Sequence, residues 1–195
     1  MKIHMMRHGE ALDDIEDCYG GIADFPLTDK GRAQAKDVAA QLHKSKPSII
    51  YTSPLQRANE AADIIAKELG LGGVTVVADL QERNSYGVLS GVNKDKAKQI
   101  FANIFANLRE PPGYSREPIP GCEPFEQFLI RVRSAFNSVI LDATNRDAET
   151  IGIVTHGKFT QALFEEVLLL KDKVNLKLSA LNTLDYRPAV AAFAQ

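Results

Sequence analysis

Short apolar segments alternate along this chain with longer stretches in which apolar residues recur every three or four positions. The short segments have the length and composition of buried strands, and the longer ones have the periodicity of amphipathic helices. The strands are predicted at residues 2–6, 48–52, 74–78, 150–154 and 184–186. Strands that alternate with helices favour a mostly parallel sheet covered by helices on both faces. The sequence therefore predicts an α/β fold.

The predicted helices lie between these strands, at residues 29–44, 53–69, 97–108, 125–140 and 158–170. The second begins with Ser53-Pro54-Leu55-Gln56, in which the serine is expected to cap the first turn. A proline-rich stretch from residue 111 to residue 124 interrupts the helical pattern. Its length is that of a loop over a domain and is too short to separate two domains.

The length of 195 residues fits one domain, residues 1–195, with a small excursion. A formal net charge of −2 gives no electrostatic reason to expect nucleic acid or an anionic membrane as a partner. The cysteines, Cys18 and Cys122, are expected to be free thiols in a reducing cytosol. No apolar run approaches the ~18 residues of a membrane span, and the N-terminus is too polar for a signal peptide. We therefore expect a cytoplasmic protein.

Polar segments follow four of the predicted strands. They are Arg7-His8-Gly9-Glu10, Ser53-Pro54-Leu55-Gln56-Arg57, Glu82-Arg83 and Thr155-His156-Gly157. Because the carboxyl ends of parallel strands meet at one edge of a sheet, where such folds bind their ligands, we expect these side chains to share one cleft. Arg57 would lie in the first turn of a helix, where a positive charge opposes the helix dipole. An anionic partner for Arg57 is the better explanation of that placement.

These residue types suit phosphoryl transfer. A neutral imidazole such as that of His8 is a competent nucleophile toward phosphorus at neutral pH. Arginines bind phosphoryl oxygens in a forked fashion, and a protonated carboxylic acid can supply the proton that a departing alkoxide needs. Gly9 and Gly157 are expected to let the backbone approach an anion closely. His4 and His43 are assigned to structure or solvent.

Four motifs occur in a consistent order between residue 7 and about residue 160. They are Arg7-His8-Gly9-Glu10, Pro26-Leu27-Thr28-x-x-Gly31-x-x-Gln34-Ala35, Ser53-Pro54-Leu55-x-Arg57-Ala58 and Thr155-His156-Gly157. Together they resemble the histidine phosphatase superfamily, the phosphoglycerate-mutase-like group. Each tripeptide alone is weak evidence, whereas four motifs at consistent spacing are specific.

The resemblance implies a covalent mechanism and an architecture. His8 would be the phosphorylated nucleophile, Arg7, Arg57 and His156 would form the phosphate pocket, and Glu82 would donate the proton. The fold would be a three-layer α/β/α sandwich with a small helical cap at about residues 83–124. The further substrate contacts that we predict come from Gly21, Arg83, Lys94 and Gly157. The family pattern places a glycine four residues after the acid, whereas Gly87 stands five after Glu82, as a one-residue insertion would produce.

The sequence leaves the reaction outcome open. The run from Glu82-Arg83 through Tyr86-Gly87 to Asn93-Lys94 resembles the mutase branch. Residues 11–21 lack the Trp-Asn and Phe-Thr-Gly-Trp pattern of mutases, and no paired arginines follow the cap helix. The runs Ile119-Pro120-Gly121-Cys122-Glu123 and Phe128-x-x-Arg131-Val132 resemble phosphatase members. We therefore favour a phosphatase over a mutase, and both over a catalytically silent module that binds phosphorylated ligands.

The expected partner is a small phosphorylated metabolite, with neither nucleic acid nor membrane involved. No His, Asp and Glu cluster has the ligand spacing of a two-metal phosphatase, so no metal and no organic cofactor is expected. The oligomeric state is left open, with a dimer among the options.

Overall fold

Five strands form one sheet in the computed structural model, which describes residues 1–107, 119–170 and 174–187. The strands are β1 (Lys2–Arg7), β2 (Ile49–Thr52), β3 (Thr75–Val76), β4 (Thr150–Thr155) and β5 (Leu181–Asp185). Their order across the sheet is β3-β2-β4-β1-β5. The first four run parallel, and β5 pairs antiparallel with β1 at one edge. The predicted mostly parallel sheet is confirmed, although β3 is shorter than predicted.

The helices of the described residues connect these strands. They are α1 (Leu12–Ile15), α2 (Asp29–Leu42), α3 (Gln56–Glu68), α4 (Lys94–Ile100), α5 (Ala102–Asn107), α6 (Phe125–Asn145) and α7 (Gly157–Ala162). A π-helical turn, Leu163–Val167, continues α7. Short 3-10 turns occur at His43–Ser45, Ala78–Leu80 and Gly87–Leu89. Among the described residues, no helix combines the length and the apolar character needed to cross a lipid bilayer.

The sheet is buried on both faces, each by a different pair of helices. In β1, Ile3 and Met5 point to the face covered by α6 and α7, while Met6 points to the face covered by α2 and α3. Side chains alternate between the two faces of a strand, so a strand apolar at successive positions needs cover on both sides. The three-layer α/β/α sandwich is therefore confirmed.

The segment predicted as a cap packs in a small apolar cluster together with Tyr19, which precedes the segment in the chain. Tyr19, Leu89, Ala97 and Ile119 are buried together, apart from the two cores on the sheet. The single helix predicted for residues 97–108 is wrong within the described part, because α4 and α5 are separate. The break falls at Phe101, whose backbone leaves the helical region. Residues 108–118, with most of the proline-rich stretch, lie outside the described residues.

The start of the second predicted helix is also corrected. α3 begins at Gln56, and its N-cap position is Leu55 rather than Ser53. The Ser53 hydroxyl accepts a hydrogen bond from the Leu55 amide at 3.2 Å, before the helix begins. Ser53 is therefore a loop residue at the end of β2, and this leaves its hydroxyl within reach of the carboxyl edge.

The central strands end level with one another. In the register of the sheet Arg7 pairs with Thr155, and Thr52 pairs with Val154. The ladder extends by one residue on each side, since the His8 amide donates to the Thr155 carbonyl and the Ser53 amide to the Val154 carbonyl. The residues that follow β1, β2 and β4 are therefore held side by side.

Candidate active site

A cleft of about 350 Å³ opens at the carboxyl edge of the sheet. Most of the residues predicted to act in catalysis or substrate binding line it: Arg7, His8, Gly21, Arg57, Glu82, Arg83, Lys94 and Gly157. His156 is fully buried beside them, with its ring centroid 5.2 Å from that of His8. The structure therefore brings all the predicted site residues together.

The His8 ring is held in one tautomer. Its Nδ1 lies 2.7 Å from the carbonyl oxygen of Gly9, which can only accept a hydrogen bond, so Nδ1 carries the proton. Its Nε2 then has a free lone pair, and this atom accepts a hydrogen bond from Arg57 Nε at 3.2 Å. The nitrogen with the lone pair is therefore Nε2, with a guanidinium group directly beside it.

The surroundings of His8 favour the neutral ring. The residue is 5% exposed, and burial is the main cause that holds its pKa well below the usual histidine range. The positive charges of Arg57 and Arg7 lower this pKa further, and only the hydrogen bond to Gly9 opposes them. An uncharged imidazole with a lone pair on Nε2 is the reactive form of a histidine nucleophile.

Arg57 lies almost completely buried at the start of α3. Its Nη1 donates to the Ala23 carbonyl and its Nη2 to the Gly21 carbonyl, each at 2.7 Å. These two contacts use Nη1 and Nη2, so that Nε faces His8 Nε2. An arginine stays protonated even when burial lowers its pKa, as burial does here. The structure gives Arg57 neutral partners, and its charge is available to an anion in the cleft.

Arg7 reaches the cleft from the end of β1. Its Nη1 donates to the carbonyl of Leu176 at 2.5 Å, and its Nε is buried with no hydrogen-bond partner among the described residues. A Cβ atom at Gly157 would lie 3.3 Å from the guanidinium carbon of Arg7. The glycine therefore leaves room for the Arg7 side chain, in addition to any contact with an anion.

His156 is tied to the loop after β2. Its Nε2 lies 2.8 Å from the hydroxyl oxygen of Ser53, while its Nδ1 is buried without a hydrogen-bond partner among the described residues. Burial, followed by the charge of Arg57, holds the pKa of His156 well below its usual range. A buried nitrogen without a partner is uncommon in folded proteins and suits a ligand oxygen.

Glu82 is held at the start of α7. Its Oε1 accepts hydrogen bonds from the amides of Arg83 at 2.9 Å and Phe159 at 3.1 Å, and its Oε2 accepts one from the Lys158 amide at 3.1 Å. A carboxylate at a helix N-terminus satisfies amides that lack a partner within the helix. Despite the extra residue before Gly87, the Glu82 carboxyl therefore lies in the same cleft as His8.

The remaining predicted contacts lie at the rim and already have protein partners. The Arg83 guanidinium stacks 5.3 Å from the ring centre of Phe125. The Lys94 ammonium donates to the Asp17 carboxylate. Gly21 has a positive φ of 54° and presents its carbonyl to Arg57.

Two residues near the nucleophile have structural partners. A Cβ at Gly9 would collide with the carbonyl oxygen of Gly31, so this glycine permits close packing against α2. Gly9 therefore has a packing role, and its contact with an anion stays a prediction. The Glu10 carboxylate binds the Thr28 hydroxyl and the Lys30 ammonium, each at 2.8 Å.

Sequence reasoning missed Asp13 as a residue of the cleft. It lines the same cavity as His8, and its Oδ1 is buried with no hydrogen-bond partner among the described residues. Burial raises the pKa of Asp13, against the lowering effects of Arg57 and Arg7. Its position only five residues after His8 was the available signal. Lys158 and Gln161 were missed as well, because only the folded chain brings them to this edge.

Metal ligands do not cluster in the part of the chain that the structure describes. Within residues 1–107, 119–170 and 174–187, no three His, Cys, Asp or Glu side chains come together in a way that could hold an ion. The cations that line the cleft are Arg7, Arg57, Arg83, Lys94 and Lys158.

Comparison with known families gives one match that spans nearly the whole chain. The sequence profile of the histidine phosphatase superfamily (branch 1) matches residues 3–191.

Two curated relatives share one name with each other. A 2,3-bisphosphoglycerate-dependent phosphoglycerate mutase from Azorhizobium caulinodans is 33% identical over 163 residues, covering 82% of this chain and 77% of that protein. An enzyme of the same name from Brucella canis is 30% identical over 198 residues, covering 96% and 94%.

Solved structures with this fold include both phosphatases and mutases. The alpha-ribazole phosphatase from Shigella flexneri superposes with a TM-score of 0.77 at 21% identity, covering 96% of this chain and 92% of that one. A phosphoglycerate mutase from Bacillus anthracis str. Sterne superposes with a TM-score of 0.76 at 20% identity, covering 94% and 86%. At these identities the likeness concerns the fold.

Proposed function

From the premise that this chain belongs to branch 1 of the histidine phosphatase superfamily, we propose that it hydrolyses a small phosphomonoester through a phosphohistidine on His8. The observation that carries the proposal is the His8 ring itself. Its Nδ1 is hydrogen-bonded to the Gly9 carbonyl, and its Nε2 faces the Arg57 guanidinium in the cleft. An enzyme of this family needs such a neutral, oriented imidazole to attack phosphorus.

In the first step His8 Nε2 attacks the phosphorus atom of the substrate. The N–P bond forms while the bond from phosphorus to the ester oxygen breaks, and the electron pair of that bond goes to the departing oxygen. The protonated Glu82 carboxyl transfers its proton to this oxygen, so the product leaves as a neutral alcohol. The Nδ1–H···O bond to Gly9 stabilises the charge that develops on the His8 ring.

In the second step water attacks the phosphohistidine. Glu82, now a carboxylate, accepts a proton from the water as its oxygen bonds to phosphorus. The N–P bond breaks, and its electron pair returns to Nε2 of His8. Inorganic phosphate leaves, and both His8 and Glu82 regain their starting protonation states.

The charge on the transferring group is balanced by fixed donors. We assign this role to the guanidinium groups of Arg7 and Arg57 and to the unpartnered Nδ1 of His156. Donors that are already in place before the reaction need no reorganisation when charge moves.

No metal or organic cofactor is part of this proposal, and we propose a small phosphorylated metabolite as substrate. We further propose that residues 1–195 form one domain that acts in the cytoplasm, with residues 83–124 as the cap of the cleft.

Hydrolysis is favoured over transfer to a second hydroxyl by the sequence of residues 11–21, which lacks the mutase pattern. Phosphoglycerates carry a carboxylate in addition to phosphate. Asp13 adds a carboxyl group to the cleft wall, and the rim cation Lys94 is already paired with Asp17. Arg83 and Lys158 also line the cleft, so a second anionic group would meet charges of both signs there.

A phosphoglycerate-type mutase is the second candidate. It is supported by the name of the relatives that are 30–33% identical and by the mutase-like run that includes Tyr86 and Lys94. Both residues line the cleft. A mutase would share the phosphohistidine and would return the phosphoryl group to another hydroxyl of the substrate.

Trapping the covalent intermediate tests the proposal. Brief incubation with p-nitrophenyl phosphate and quenching without acid should add one phosphoryl group to the peptide that contains His8. The His8→Ala protein should show neither the label nor turnover. A label on a serine, or undiminished turnover in His8→Ala, would remove the central claim. A wild-type protein that binds phosphate without turnover would instead be a silent binding module.

A substrate panel separates the two enzymatic candidates. Phosphorylated metabolites, with 3-phosphoglycerate among them, should release inorganic phosphate with the alcohol as the only organic product. Formation of 2-phosphoglycerate from 3-phosphoglycerate, faster than phosphate release from any compound in the panel, would identify a mutase.

A further inference from the structure

Two residues from the phosphatase-like runs of the sequence, Glu123 and Arg131, lie outside the cleft and have no part in the mechanism above. Glu123 lies two residues before α6, and Arg131 lies in the second turn of that helix. Both side chains are largely buried, at 19% and 13% exposure, and they form an ion pair of 2.7 Å. Buried charges are rarely kept without a specific set of partners.

The Arg131 guanidinium binds one short loop through Nη1 and Nη2 and the Glu123 carboxylate through Nε and Nη2. Nη1 donates to the carbonyls of Asp79 at 2.8 Å and Gln81 at 2.9 Å, and Nη2 donates to the carbonyl of Glu82 at 3.3 Å. Nε and Nη2 also bind the two carboxylate oxygens of Glu123, at 2.8 and 2.7 Å. This is a forked pairing of guanidinium and carboxylate, which fixes orientation as well as distance.

The loop that Arg131 binds carries the proposed acid and has little regular structure. β3 has only two residues, and a single 3-10 turn, Ala78–Leu80, separates it from Glu82. The hydroxyl of Thr155 donates to the Leu80 carbonyl at 2.7 Å. Four consecutive carbonyls, at residues 79 to 82, are therefore bound by side chains from α6 and the end of β4.

Glu123 holds the same loop from its other side. The amide of Glu123 donates to the Asn84 carbonyl at 2.8 Å. Arg83 donates through Nε at 3.2 Å and Nη2 at 3.0 Å to the carbonyl of Glu123. The backbone is thus fixed just before and just after Glu82.

We propose that Arg131, paired with Glu123, is a positioning residue that sets the Glu82 carboxyl at its place in the cleft. The inference rests on the proposed role of Glu82 as proton donor. α6 is a long helix, anchored on the sheet by Phe128 and Val132, and the guanidinium of Arg131 extends from it to the loop. The position of the Glu82 carboxyl is therefore set by the long helix α6 rather than by the two-residue strand β3 that precedes it.

A lysine at this position would keep the charge and lose the geometry. Its single ammonium group cannot span the Glu123 carboxylate and the three carbonyls that the planar guanidinium reaches. The loop would then move by a fraction of an ångström to an ångström, and misplacement of about 1 Å can cost a hundredfold in rate. The rate should fall for the step in which the departing alkoxide needs a proton from Glu82.

Two substrates measure this loss separately from any loss of folded protein. The release of p-nitrophenolate needs no proton, whereas release of the alkoxide from β-glycerophosphate does. Arg131→Lys should slow β-glycerophosphate hydrolysis by about tenfold or more relative to p-nitrophenyl phosphate hydrolysis. A lower folded fraction scales both rates equally and leaves their ratio unchanged. Arg133→Lys, an exposed arginine on the same helix, is the matched control and should leave the ratio at the wild-type value.

Two further variants complete the test. Glu123→Gln keeps one acceptor for Arg131 and should change the ratio in the same direction by a smaller factor. In the Glu82→Gln background, Arg131→Lys should add almost nothing to the β-glycerophosphate defect, because both changes remove the same proton transfer. If Arg131→Lys slows hydrolysis of both substrates equally, the inference is overturned while the role of Glu82 stands. The same holds if the β-glycerophosphate defects of Arg131→Lys and Glu82→Gln add fully in the double variant. A Glu82→Gln protein that slows both substrates equally refutes the acid assignment itself and the inference with it.

Discussion

The two sides of the cleft are built by different means. We call the side that carries the proposed nucleophile the nucleophile side. There, His8 and His156 directly follow β1 and β4, Arg57 lies in the first turn of α3, and each is at most 5% exposed. On the acid side, Glu82 lies on a loop that follows the two-residue strand β3. Its position depends on hydrogen bonds from α7 and from Arg131.

This difference predicts how each side responds to change. The nucleophile side is fixed by the hydrogen-bond ladder of a sheet buried on both faces, which few single substitutions disturb. The acid side depends on a few polar groups, so a substitution outside the cleft can weaken proton transfer and leave phosphoryl transfer intact. Catalytic defects should therefore separate into two classes by their dependence on the leaving group.

The largest effect is expected from the nucleophile side. Arg57→Ala removes the guanidinium that lies 3.2 Å from His8 Nε2 and should slow turnover of every substrate by on the order of a hundredfold or more. Steady-state rates with p-nitrophenyl phosphate and β-glycerophosphate provide the measurement. Arg146→Ala, which breaks an exposed ion pair on α6, is the control and should keep the wild-type rates. A defect confined to one substrate would contradict a charge role for Arg57.

An intermediate effect is expected from the acid itself. Glu82→Gln keeps one hydrogen-bond acceptor for the α7 amides, where the carboxylate has two, and it cannot deliver a proton. It should slow β-glycerophosphate hydrolysis by roughly a hundredfold and change p-nitrophenyl phosphate hydrolysis little. If both substrates slowed equally, Glu82 would be a residue that only maintains geometry. Asp14, which also lines the cleft, would then be the next acid to test.

A smaller effect is expected on the pH dependence of the free energy of unfolding, through the buried histidines. His8 and His156 have pKa values well below their usual range in the folded protein, and that of His4 is also lowered, mainly through burial. In the unfolded chain they titrate near pH 6.5. The unfolded state therefore binds more protons as pH falls, so stability is fully present above pH ~6.5 and declines below it.

Urea denaturation at a series of pH values measures this decline. His156→Gln should give a shallower fall in the free energy of unfolding between about pH 7 and pH 5, because one buried histidine no longer gains a proton on unfolding. His43→Gln, at an exposed site, should follow the wild-type curve. A wild-type free energy that rises toward acid pH would refute the assignment of buried neutral rings.

No effect is expected from removal of metal ions. The proposed charge partners of the phosphoryl group are Arg7 and Arg57, so exhaustive treatment with EDTA should leave both rates unchanged. The measurement is the rate before and after dialysis against chelator, with a metal-dependent phosphatase treated in parallel. Activity that disappears and returns with magnesium, manganese or zinc would overturn the mechanism.

The sequence predicted the nucleophile side better than the acid side. His8, Arg57 and His156 stand next to apolar strands, and a strand end fixes where its next residue lies, so local pattern was sufficient. Glu82 was placed near the cleft because it follows a predicted strand, but its role as the acid came from family resemblance, because no local signal tells a catalytic loop carboxylate from a solvated one. Asp13 was missed for the same reason.

The two errors in the predicted helices have a common cause. The motif from Ser53 to Gln56 fits a helix cap, yet the Ser53 hydroxyl binds the Leu55 amide and His156. The periodicity of residues 97–108 fits one helix, yet the chain breaks at Phe101 to pack the small cluster around Tyr19 and Leu89. In each case a contact distant in sequence outweighs a local preference worth about 1 kcal/mol.

By itself the sequence determined the α/β class, the strand ends that carry the nucleophile side, and the family, because apolar periodicity and short motifs are local properties. Only the tertiary structure decided the tautomer of His8, the antiparallel edge strand β5, and the support of Glu82 by Arg131 and Glu123. Arg131 lies 49 residues from Glu82 in the chain, and hydrogen bonds over such a separation form only when the fold brings the two segments together.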